Sequence, residues 1–410
     1  MNAEGRLNRR GLCVAKGGER QVFLCFRPFR AVSILFLCAL CVLRDYKGLG
    51  LHNHVCKRSL VHWMKGSAIL AIVLGLVLLA ACVPGIPGVP VDITQTPAPT
   101  STPTPTPTPV ATLNPAGQVG LGVYFEASPY DGFAAVEAFE LLLKHKMVYV
   151  LWFQAWGDDP DFHSDWATLA AQKGLTPVIT WEPWQRDFVT PGTIQPAYSL
   201  QSIVDGDHDD YIRAWARAAR ATGVPLIIRF AHEQSTEIGT RPWYPWQGDP
   251  EGYRAAFRHI VEIFRQEGAE NVQFLWSAMW LDLHAADYYP GEDVVDLVGT
   301  TILNHGLGTT ADWAQWRTFE EIFDSEYLAA ERWGKPIMLT EVATAEQGGD
   351  KAAWLRDAFT SIPVRYPLVE AVLLLEMPVD REWPVINWSV SSSPESLAAF
   401  KEAITDPDYK

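Results

Sequence analysis

The sequence predicts a (β/α)8 barrel over residues 117–410. Eight short apolar runs rich in β-branched residues recur along this stretch, and helical periodicity separates most of them. The length is close to the ~250 residues typical of such a barrel. An open, doubly wound sheet is the alternative, but it normally carries a glycine-rich phosphate loop after the first strand. The segment Phe-Glu-Ala-Ser-Pro at 125–129 contains no glycine, which favours the barrel.

The strands and helices follow from these two periodicities. Strands are predicted at 119–125, 147–153, 176–182, 225–232, 272–279, 295–303, 336–342 and 369–376. Helices are predicted at 133–145, 162–173, 208–222, 251–267, 312–333, 351–361 and 394–404. The link between the fifth and sixth strands is predicted to be mostly irregular.

An export signal is predicted at 64–82. Met64-Lys65 precedes an apolar run that ends in Leu79-Ala-Ala-Cys82, a sequence that resembles the lipobox of bacterial lipoproteins. The resemblance implies lipidation at Cys82 and an exported domain, lipid-anchored at the cell surface or on the outer side of the membrane. A plain transmembrane anchor is the alternative, but the run is shorter than the ~20 residues that span a bilayer.

The segments on either side of this signal have no globular pattern. Residues 1–63 fit neither a fold nor a linker, so we expect translation to begin at Met64; otherwise these residues form a disordered extension. Residues 83–116 are rich in Pro and Thr, which predicts an extended tether at ~3.1 Å per residue. Such a tether would hold the barrel away from the membrane.

Composition also limits the function of the barrel. All six cysteines lie in the first 82 residues, which excludes a disulfide framework or a thiolate metal site further along. The first 116 residues carry 12 of the 33 Lys and Arg and 4 of the 48 Asp and Glu, so residues 117–410 have a formal charge of −23. This charge would repel nucleic acid. Sixteen of the 17 tryptophans lie in the same stretch, a composition suited to stacking on sugar rings.

Five glutamates lie at the predicted carboxyl ends of strands, where barrel enzymes place their active groups. They are Glu126, Glu182, Glu233, Glu341 and Glu376. Each could also cap a helix or pair with an arginine. Glycoside hydrolysis needs two carboxyl groups, about 5–5.5 Å apart when configuration is retained. The fourth and seventh strands face each other across a barrel, so Glu233 and Glu341 are the predicted pair.

The run Arg229-Phe-Ala-His-Glu233, followed by Trp243-Tyr-Pro-Trp246, resembles the fourth-strand signature of glycoside hydrolase family 26. That family contains mainly β-mannanases. The resemblance implies a retaining, endo-acting hydrolase of β-1,4-mannan or glucomannan, with Glu233 as general acid/base and Glu341 as nucleophile. It implies neither a metal nor an organic cofactor. We expect a monomer whose partners are a polysaccharide and, through the lipid, a membrane.

The same resemblance implies roles for further residues. Arg229 would keep Glu341 anionic, and His232 would lie beside the acid/base. The other residues implied to bind substrate are Trp181, Glu182, Trp243, Trp246, Trp276, Asn304 and Trp388.

This chain departs from the family pattern at two places. The family usually reads His-Glu-Met-Asn-Gly where this chain has His232-Glu-Gln-Ser-Thr. Related enzymes carry a tyrosine after the sixth strand where this chain has Leu303, with Asn304 or His305 as substitutes.

Other functions are less consistent with the sequence. A zinc site built on His232-Glu233 would need a second histidine at position 236, which is Thr236. The Gly-x-Ser-x-Gly motif of serine esterases is absent. Two alternatives stay open: a surface glycan-binding lipoprotein whose barrel is catalytically weak, and a hydrolase of β-1,3/1,4-glucan or β-1,3-xylan.

Overall fold

The computed structural model describes residues 118–188, 190, 192–235, 242–281 and 284–410. The segments predicted at 1–63, 64–82 and 83–116, with the lipidation site Cys82, lie outside these residues. Among the helices that are described, none is both long enough and apolar enough to cross a membrane.

Eight parallel strands close into a barrel in the order β1 to β8, each hydrogen-bonded to the next and β8 to β1. This confirms the predicted fold class. The strands are Gly120–Tyr124 (β1), Tyr149–Ala155 (β2), Thr176–Glu182 (β3), Leu226–Phe230 (β4), Val272–Ala278 (β5), Leu297–Asn304 (β6), Ile337–Thr344 (β7) and Val369–Leu375 (β8). Each of the eight predicted strands is present, with its ends shifted by at most two residues.

Helices surround the barrel. They are Ala134–Leu143 (α1), Ser164–Gln172 (α2), Leu200–Val204 (α3), Asp209–Thr222 (α4), Pro250–Gln266 (α5), Ala285–Tyr288 (α6), Phe319–Ala330 (α7), Lys351–Arg365 (α8) and Pro394–Ala403 (α9). The short helices α3 and α6 were not predicted. The helix predicted at 312–333 begins seven residues later, because Thr318 and Glu321 form a reciprocal capping box that starts α7 at Phe319.

Side chains alternate between the two faces of the barrel wall. One cluster draws residues from every strand, among them Leu151, Val178, Ile227 and Met338, and fills the inside of the barrel. The larger cluster packs the outer strand faces against the helices. A residue's parity along its strand therefore decides whether it can reach the barrel mouth.

One irregularity in this alternation is important for the site. Thr300 of β6 pairs with Leu339 of β7, but the next residue, Thr301, pairs with Glu341. Thr340 is therefore an extra residue, a β-bulge that shifts the facing of everything after it. Leu339 and Val342 both belong to the outer cluster. Without the bulge Glu341 would face outward with Leu339; with it, Glu341 faces into the barrel.

Candidate active site

Arg229 lies inside the barrel on β4, and no part of its side chain is exposed. Its Nη1 donates to Glu341 Oε1 at 2.7 Å. Its Nε donates to Ser277 Oγ on β5 at 3.0 Å, and its Nη2 donates to Thr301 Oγ1 on β6 at 3.3 Å. A buried guanidinium is tolerated when its charge is paired and its donors are used, and both conditions are met here. The predicted partnership of Arg229 with Glu341 is thus present as a direct ion pair.

Glu233 follows β4 on a strained piece of backbone. Ala231 and Glu233 both have positive φ angles, 43° and 52°, which non-glycine residues rarely adopt. The neighbouring strands hold this conformation: the N–H of Ala231 donates to the carbonyl of Trp181 at 3.0 Å, and that of Glu233 donates to the carbonyl of Ser277 at 2.8 Å. This backbone conformation directs the half-buried side chain of Glu233 over the mouth of the barrel.

The segment that follows the loop after Glu233 is fastened back onto it. The side-chain amide of Gln247 donates to the carbonyl of Glu233 at 2.5 Å. Its oxygen accepts from the backbone N–H groups of Trp243 and Tyr244, at 2.6 and 3.0 Å. One glutamine therefore fixes the position of both aromatic residues relative to Glu233.

The two predicted catalytic glutamates come together. An oxygen of Glu233, an oxygen of Glu341 and a ring nitrogen of His232 all lie within 4.8 Å of one another. Thr301 Oγ1 donates to Glu233 Oε1 at 2.8 Å. The pKa of Glu233 is raised to about 7, mainly by burial and to a smaller extent by the charge of Glu341. The charge of Arg229 and the hydrogen bond from Thr301 act in the opposite direction. One carboxyl group is thus paired with an arginine, and the other holds its proton near neutral pH.

His232 forms the wall beside Glu233 as a neutral imidazole. It is almost fully buried, and burial followed by the charges of Arg229 and Arg186 holds its pKa well below the usual range. Its Nε2 lies 3.0 Å from the hydroxyl of Tyr244, and its Nδ1 lies 3.9 Å from Glu182 Oε1. Its ring is therefore held between a tyrosine and a third carboxyl group.

Glu182 ends β3 on the inner face and is buried. Burial raises its pKa, and the nearby Arg186 opposes that effect. Arg186 Nε donates to Glu182 Oε2 at 3.2 Å. Glu182 therefore lines the site next to His232 but is already paired with an arginine.

Two of the tryptophans proposed as sugar platforms lie on the wrong face of the barrel, and these predictions are corrected. Trp181 is completely buried against Trp215 of α4 and Phe264 of α5, and its Nε1 donates to Tyr211. Trp276 is completely buried against Tyr289 and Trp333. Both have the outward parity of their strands, so they belong to the layer between barrel and helices and present no face to a substrate.

The other three proposed tryptophans lie nearer the barrel mouth. Trp246 is buried, donates from Nε1 to the carbonyl of His232 at 2.8 Å, and stacks on Tyr244 at 4.6 Å. Trp388 is buried too; its Nε1 donates to Asp380. Trp243 is 37% exposed, the one ring of the three with a substantial free surface.

Asn304, which was predicted to bind substrate, forms hydrogen bonds within the protein. It is buried, its amide nitrogen donates to Thr344 Oγ1 at 3.1 Å, and its oxygen accepts from the backbone N–H of Arg317 at 3.3 Å. Its amide is thus engaged within the protein, fastening the loop after β6.

The remaining two strand-end glutamates do not join the pair. Glu126 forms an ion pair with Arg381 at 2.6 Å on the surface. This agrees with the alternative that a glutamate at a strand end pairs with an arginine. Glu376 accepts from the backbone N–H of Val390 at 2.8 Å.

Three residues near the pair were missed by the sequence analysis. Thr301 bonds to Glu233 and accepts from Arg229. Tyr244 contacts His232. Tyr124 ends β1, where burial raises its pKa to about 12 and Glu341 is one of the charges that act on it. Inward parity could have suggested Tyr124 at the end of β1 and Thr301 within β6, but nothing in the sequence distinguishes Thr301 from a core threonine.

His232, Glu233 and Glu341 are also close enough to hold a metal ion. The guanidinium of Arg229, 2.7 Å from Glu341, already supplies a fixed positive charge there. The donor set therefore fits a cation poorly, and the sequence-based expectation of a metal-free site stays a prediction.

Comparison with known proteins places this geometry in a family. Residues 160–332 match the model of glycosyl hydrolase family 26. The chain belongs to that family. The match includes β4, Arg229 and Glu233.

One relative of this family member is a much longer protein. Endoglucanase H of Acetivibrio thermocellus is 33% identical over 296 residues, which are 69% of this chain and 30% of that protein. The chain thus spans less than a third of this relative.

The similar solved structures show the fold alone, because their sequences are distant. An endo-β-1,4-mannanase double mutant of Cellulomonas fimi is 17% identical with a TM-score of 0.52, and the match covers 72% of each chain. A β-mannanase of Bacteroides ovatus is 15% identical with a TM-score of 0.52, covering 73% of this chain and 93% of that one. A mannanase catalytic domain of Bacillus sp. JAMB-750 is 16% identical with a TM-score of 0.53 and the same coverage.

Proposed function

We propose that the barrel is a retaining, endo-acting β-glycoside hydrolase in which Glu341 is the nucleophile and Glu233 the general acid/base. The observation that carries the proposal is the separation of the two carboxyl groups, whose oxygens approach within 4.8 Å. Inverting enzymes hold their carboxyl groups about 6.5–9.5 Å apart to admit a water molecule between them. Two carboxyl groups with oxygens this close are compatible with the about 5–5.5 Å separation of retaining enzymes, in which one carboxylate attacks directly.

In the first step a Glu341 oxygen bonds to the anomeric carbon, and the bond to the leaving-group oxygen breaks. Glu233 gives its proton to that oxygen as it departs. The ion pair with Arg229 holds the Glu341 carboxylate in position for attack. The pKa of Glu233, raised to about 7, keeps the required proton available near neutral pH.

In the second step water attacks the anomeric carbon and displaces Glu341. Because Glu341 is esterified in the intermediate, its charge no longer raises the pKa of Glu233. Glu233 is then ionised and takes the proton of the attacking water. Two inversions at the same carbon leave the product with the configuration of the substrate.

For the substrate we propose a β-1,4-linked polysaccharide that contains glucose, either glucomannan or mixed-linkage β-glucan. The relative that is 33% identical is named an endoglucanase, which supports a glucose-containing chain. Pure β-1,4-mannan is the second candidate, supported by the resemblance of the Arg229–Glu233 segment to a family of mainly mannanases. A neutral glycan is also compatible with the acidic barrel, because it carries no charge to be repelled.

Digestion of a glycan panel tests this proposal. Glucomannan, β-1,4-mannan, mixed-linkage β-glucan and β-1,3-xylan would be incubated with the wild type and with Glu341→Ala, and the reducing ends measured. We expect sugar release that falls by several orders of magnitude in Glu341→Ala. Glu292→Ala is the control, since Glu292 is exposed on the loop that enters β6 at the opposite end of the barrel. Proton NMR of the first product should show the β-anomer.

Two results would contradict the proposal. If the wild type binds one of these glycans but releases no sugar from any, the barrel is a binding module. If the first product is the α-anomer, the mechanism is inverting. The proposed export and lipid anchoring at Cys82 rest on the sequence, and N-terminal mass spectrometry of the membrane fraction tests them: a peptide from residues 1–63 would refute a start at Met64.

A further inference from the structure

The hydroxyl of Thr301 lies between the two halves of the site. It accepts from Arg229 Nη2 at 3.3 Å and donates to Glu233 Oε1 at 2.8 Å. Since Arg229 also donates to Glu341, a continuous chain of hydrogen bonds runs from Glu341 through Arg229 and Thr301 to Glu233. Among the described residues, Thr301 is the one side chain whose hydrogen bonds join the acid/base to the arginine of the nucleophile.

We propose that Thr301 is a positioning residue that places the acidic proton of Glu233 on Oε2, so that one defined oxygen serves as acid and then as base. This inference rests on the function proposed above, because it assigns a task within the same reaction. Thr301 does not touch the reacting atoms; it acts through Glu233.

The direction of the hydrogen bonds follows from the donors available. A guanidinium has only N–H groups and accepts nothing, so the single hydrogen of the Thr301 hydroxyl cannot point to Arg229. Glu233 Oε1 at 2.8 Å is the acceptor that remains on the other side. Because Arg229 occupies a lone pair of the same hydroxyl, it fixes the hydroxyl in the orientation that donates to Glu233.

The hydrogen bond from Thr301 makes the two carboxyl oxygens of Glu233 differ. Oε1 already accepts a hydrogen bond, so a proton placed there would compete with the Thr301 hydrogen. The proton is therefore more stable on Oε2. When Glu233 ionises, the bond to Oε1 persists and keeps the carboxylate from rotating, so the proton from water returns to the oxygen that lost one. A retaining mechanism needs this return in every cycle.

The backbone places Thr301 where this role requires it. The β-bulge at Thr340 brings Thr301 opposite Glu341, and the inward parity of β6 points its side chain at Arg229. A β-branched side chain such as threonine has few χ1 rotamers, which limits the positions that its hydroxyl oxygen can take. The same irregularity therefore orients both the nucleophile and the hydroxyl that positions the acid/base.

Two substitutions separate the hydroxyl from the shape of the side chain. Thr301→Val keeps the branched shape and removes the hydroxyl, whereas Thr301→Ser keeps the hydroxyl. With Thr301→Val we expect roughly a tenfold or greater loss of kcat/KM on polysaccharide, since general acid catalysis contributes about 10²–10⁴-fold. The loss should be much smaller on a dinitrophenyl β-glycoside, whose leaving group departs without protonation. Thr301→Ser should stay within a few-fold of the wild type on both.

A direct titration makes the test independent of turnover. The Glu233 carboxyl would be followed by carbon-13 NMR against pH, with its signal assigned by its absence in Glu233→Gln. Loss of a hydrogen bond donated to the carboxylate disfavours the ionised form, so Thr301→Val should raise the midpoint by on the order of 0.5–1 pH unit. The alkaline limb of kcat/KM should move by the same amount. Thr301→Ser should restore the midpoint of the wild type.

The outcomes are distinct. An unchanged Glu233 midpoint in Thr301→Val overturns the inference whether or not the protein is active. Equal losses on polysaccharide and on the activated glycoside would also overturn it, since they indicate a structural role. If Thr301→Val does not fold, as judged by circular dichroism, Thr301→Ala takes its place in both measurements. A wild type that releases no sugar refutes the proposed function, while the titration still decides the role of Thr301.

Discussion

Arg229 and Glu341 form an ion pair of 2.7 Å in which the arginine side chain has no exposed surface. Arg229 comes from β4 and Glu341 from β7, so the pair crosses the interior of the barrel. Removing one member of such a pair leaves the other charge buried and unpaired, which commonly costs about 3–5 kcal/mol. Keeping both members of the pair is therefore important for the stability of the barrel as well as for the position of the proposed nucleophile.

Arg229→Met should therefore reduce both activity and stability. We expect a loss of about 3 kcal/mol in the free energy of unfolding, measured by urea denaturation, and at least a hundredfold loss of kcat/KM. Arg258→Met is the matched control, because Arg258 and Asp293 are 2.8 Å apart but about half exposed. Exposed pairs contribute about 0–1 kcal/mol. Similar losses in the two variants would contradict a special role for the buried pair.

The pKa of Glu233, raised to about 7, predicts the pH dependence of activity. The acid must be protonated to assist the leaving group, so kcat/KM on polysaccharide should fall as the pH rises above about 7. An activated aryl glycoside should lack this alkaline limb during glycosylation, since its leaving group needs no proton. Stopped-flow measurement of the first turnover would check both profiles. An alkaline limb of equal position on both substrates would assign it to a group other than Glu233.

The same shift predicts how stability depends on pH. The folded protein binds the Glu233 proton more tightly than the unfolded chain, whose carboxyl has an ordinary value near 4.5. The resulting stability is fully present below about 4.5 and is lost as the pH rises through about 7. Glu233→Gln cannot ionise, so its free energy of unfolding should rise relative to the wild type across this interval. Urea denaturation at pH 4.5, 6 and 8 measures the difference, and a constant difference would contradict the raised pKa.

Much of this architecture was predictable because strands and helices have distinct periodicities. The eight strands are recognisable from their β-branched runs, and strand order alone places Glu233 opposite Glu341. Parity could also have excluded Trp181: if Glu182 faces inward, its neighbour must face the helices. The orientation of Glu341 was not predictable, because it depends on the bulge at Thr340, and no residue of β7 marks a bulge in the sequence.

The strained backbone at Ala231 and Glu233 was also not predictable from the sequence. Both positive φ angles occur at residues that seldom adopt them, and tertiary hydrogen bonds from β3 and β5 hold them in place. Local propensity instead predicts a strand that continues to 232. Likewise, the bridge made by Thr301 depends on distances between β4, β6 and β7 that only the closed barrel defines.

Trp243 and Trp181 should respond differently to truncation. Trp243 is 37% exposed, and Gln247 hydrogen-bonds both its backbone and that of Glu233. Trp243→Ala should therefore raise KM for polysaccharide by roughly threefold to tenfold, the value of one aromatic contact, with little change in stability. Trp181→Ala should cost about 3–5 kcal/mol of stability, because it empties a site in the core. Kinetics and thermal unfolding of both variants check this division. A KM effect at Trp181 without loss of stability would restore the original prediction that it binds sugar.

Lys351 offers a last test, of how the loop between β8 and α9 is held. Lys351 is the first residue of α8. Its buried ammonium group donates to the carbonyls of Asn387 and Ser389, at 2.9 and 2.8 Å. Burial lowers its pKa to about 8, against the opposing charges of Glu346 and Glu376. Lys351→Met would leave two carbonyls without their donor, which should cost about 1.5–3 kcal/mol in the free energy of unfolding.

Lys401→Met is the matched control for this prediction, because Lys401 also donates to a backbone carbonyl, that of Leu142, but at an exposed position. Its loss should change stability by less than about 0.5 kcal/mol. The sign of the pH dependence follows from the lowered pKa: ionised Lys351 is penalised by burial in the folded state, so the wild type should gain stability relative to Lys351→Met as the pH rises from about 8 towards 10.5. Urea denaturation at pH 7 and 9.5 measures both effects. Equal destabilisation by the two substitutions, or a difference that does not grow with pH, would show that Lys351 does not hold the loop as a buried charge.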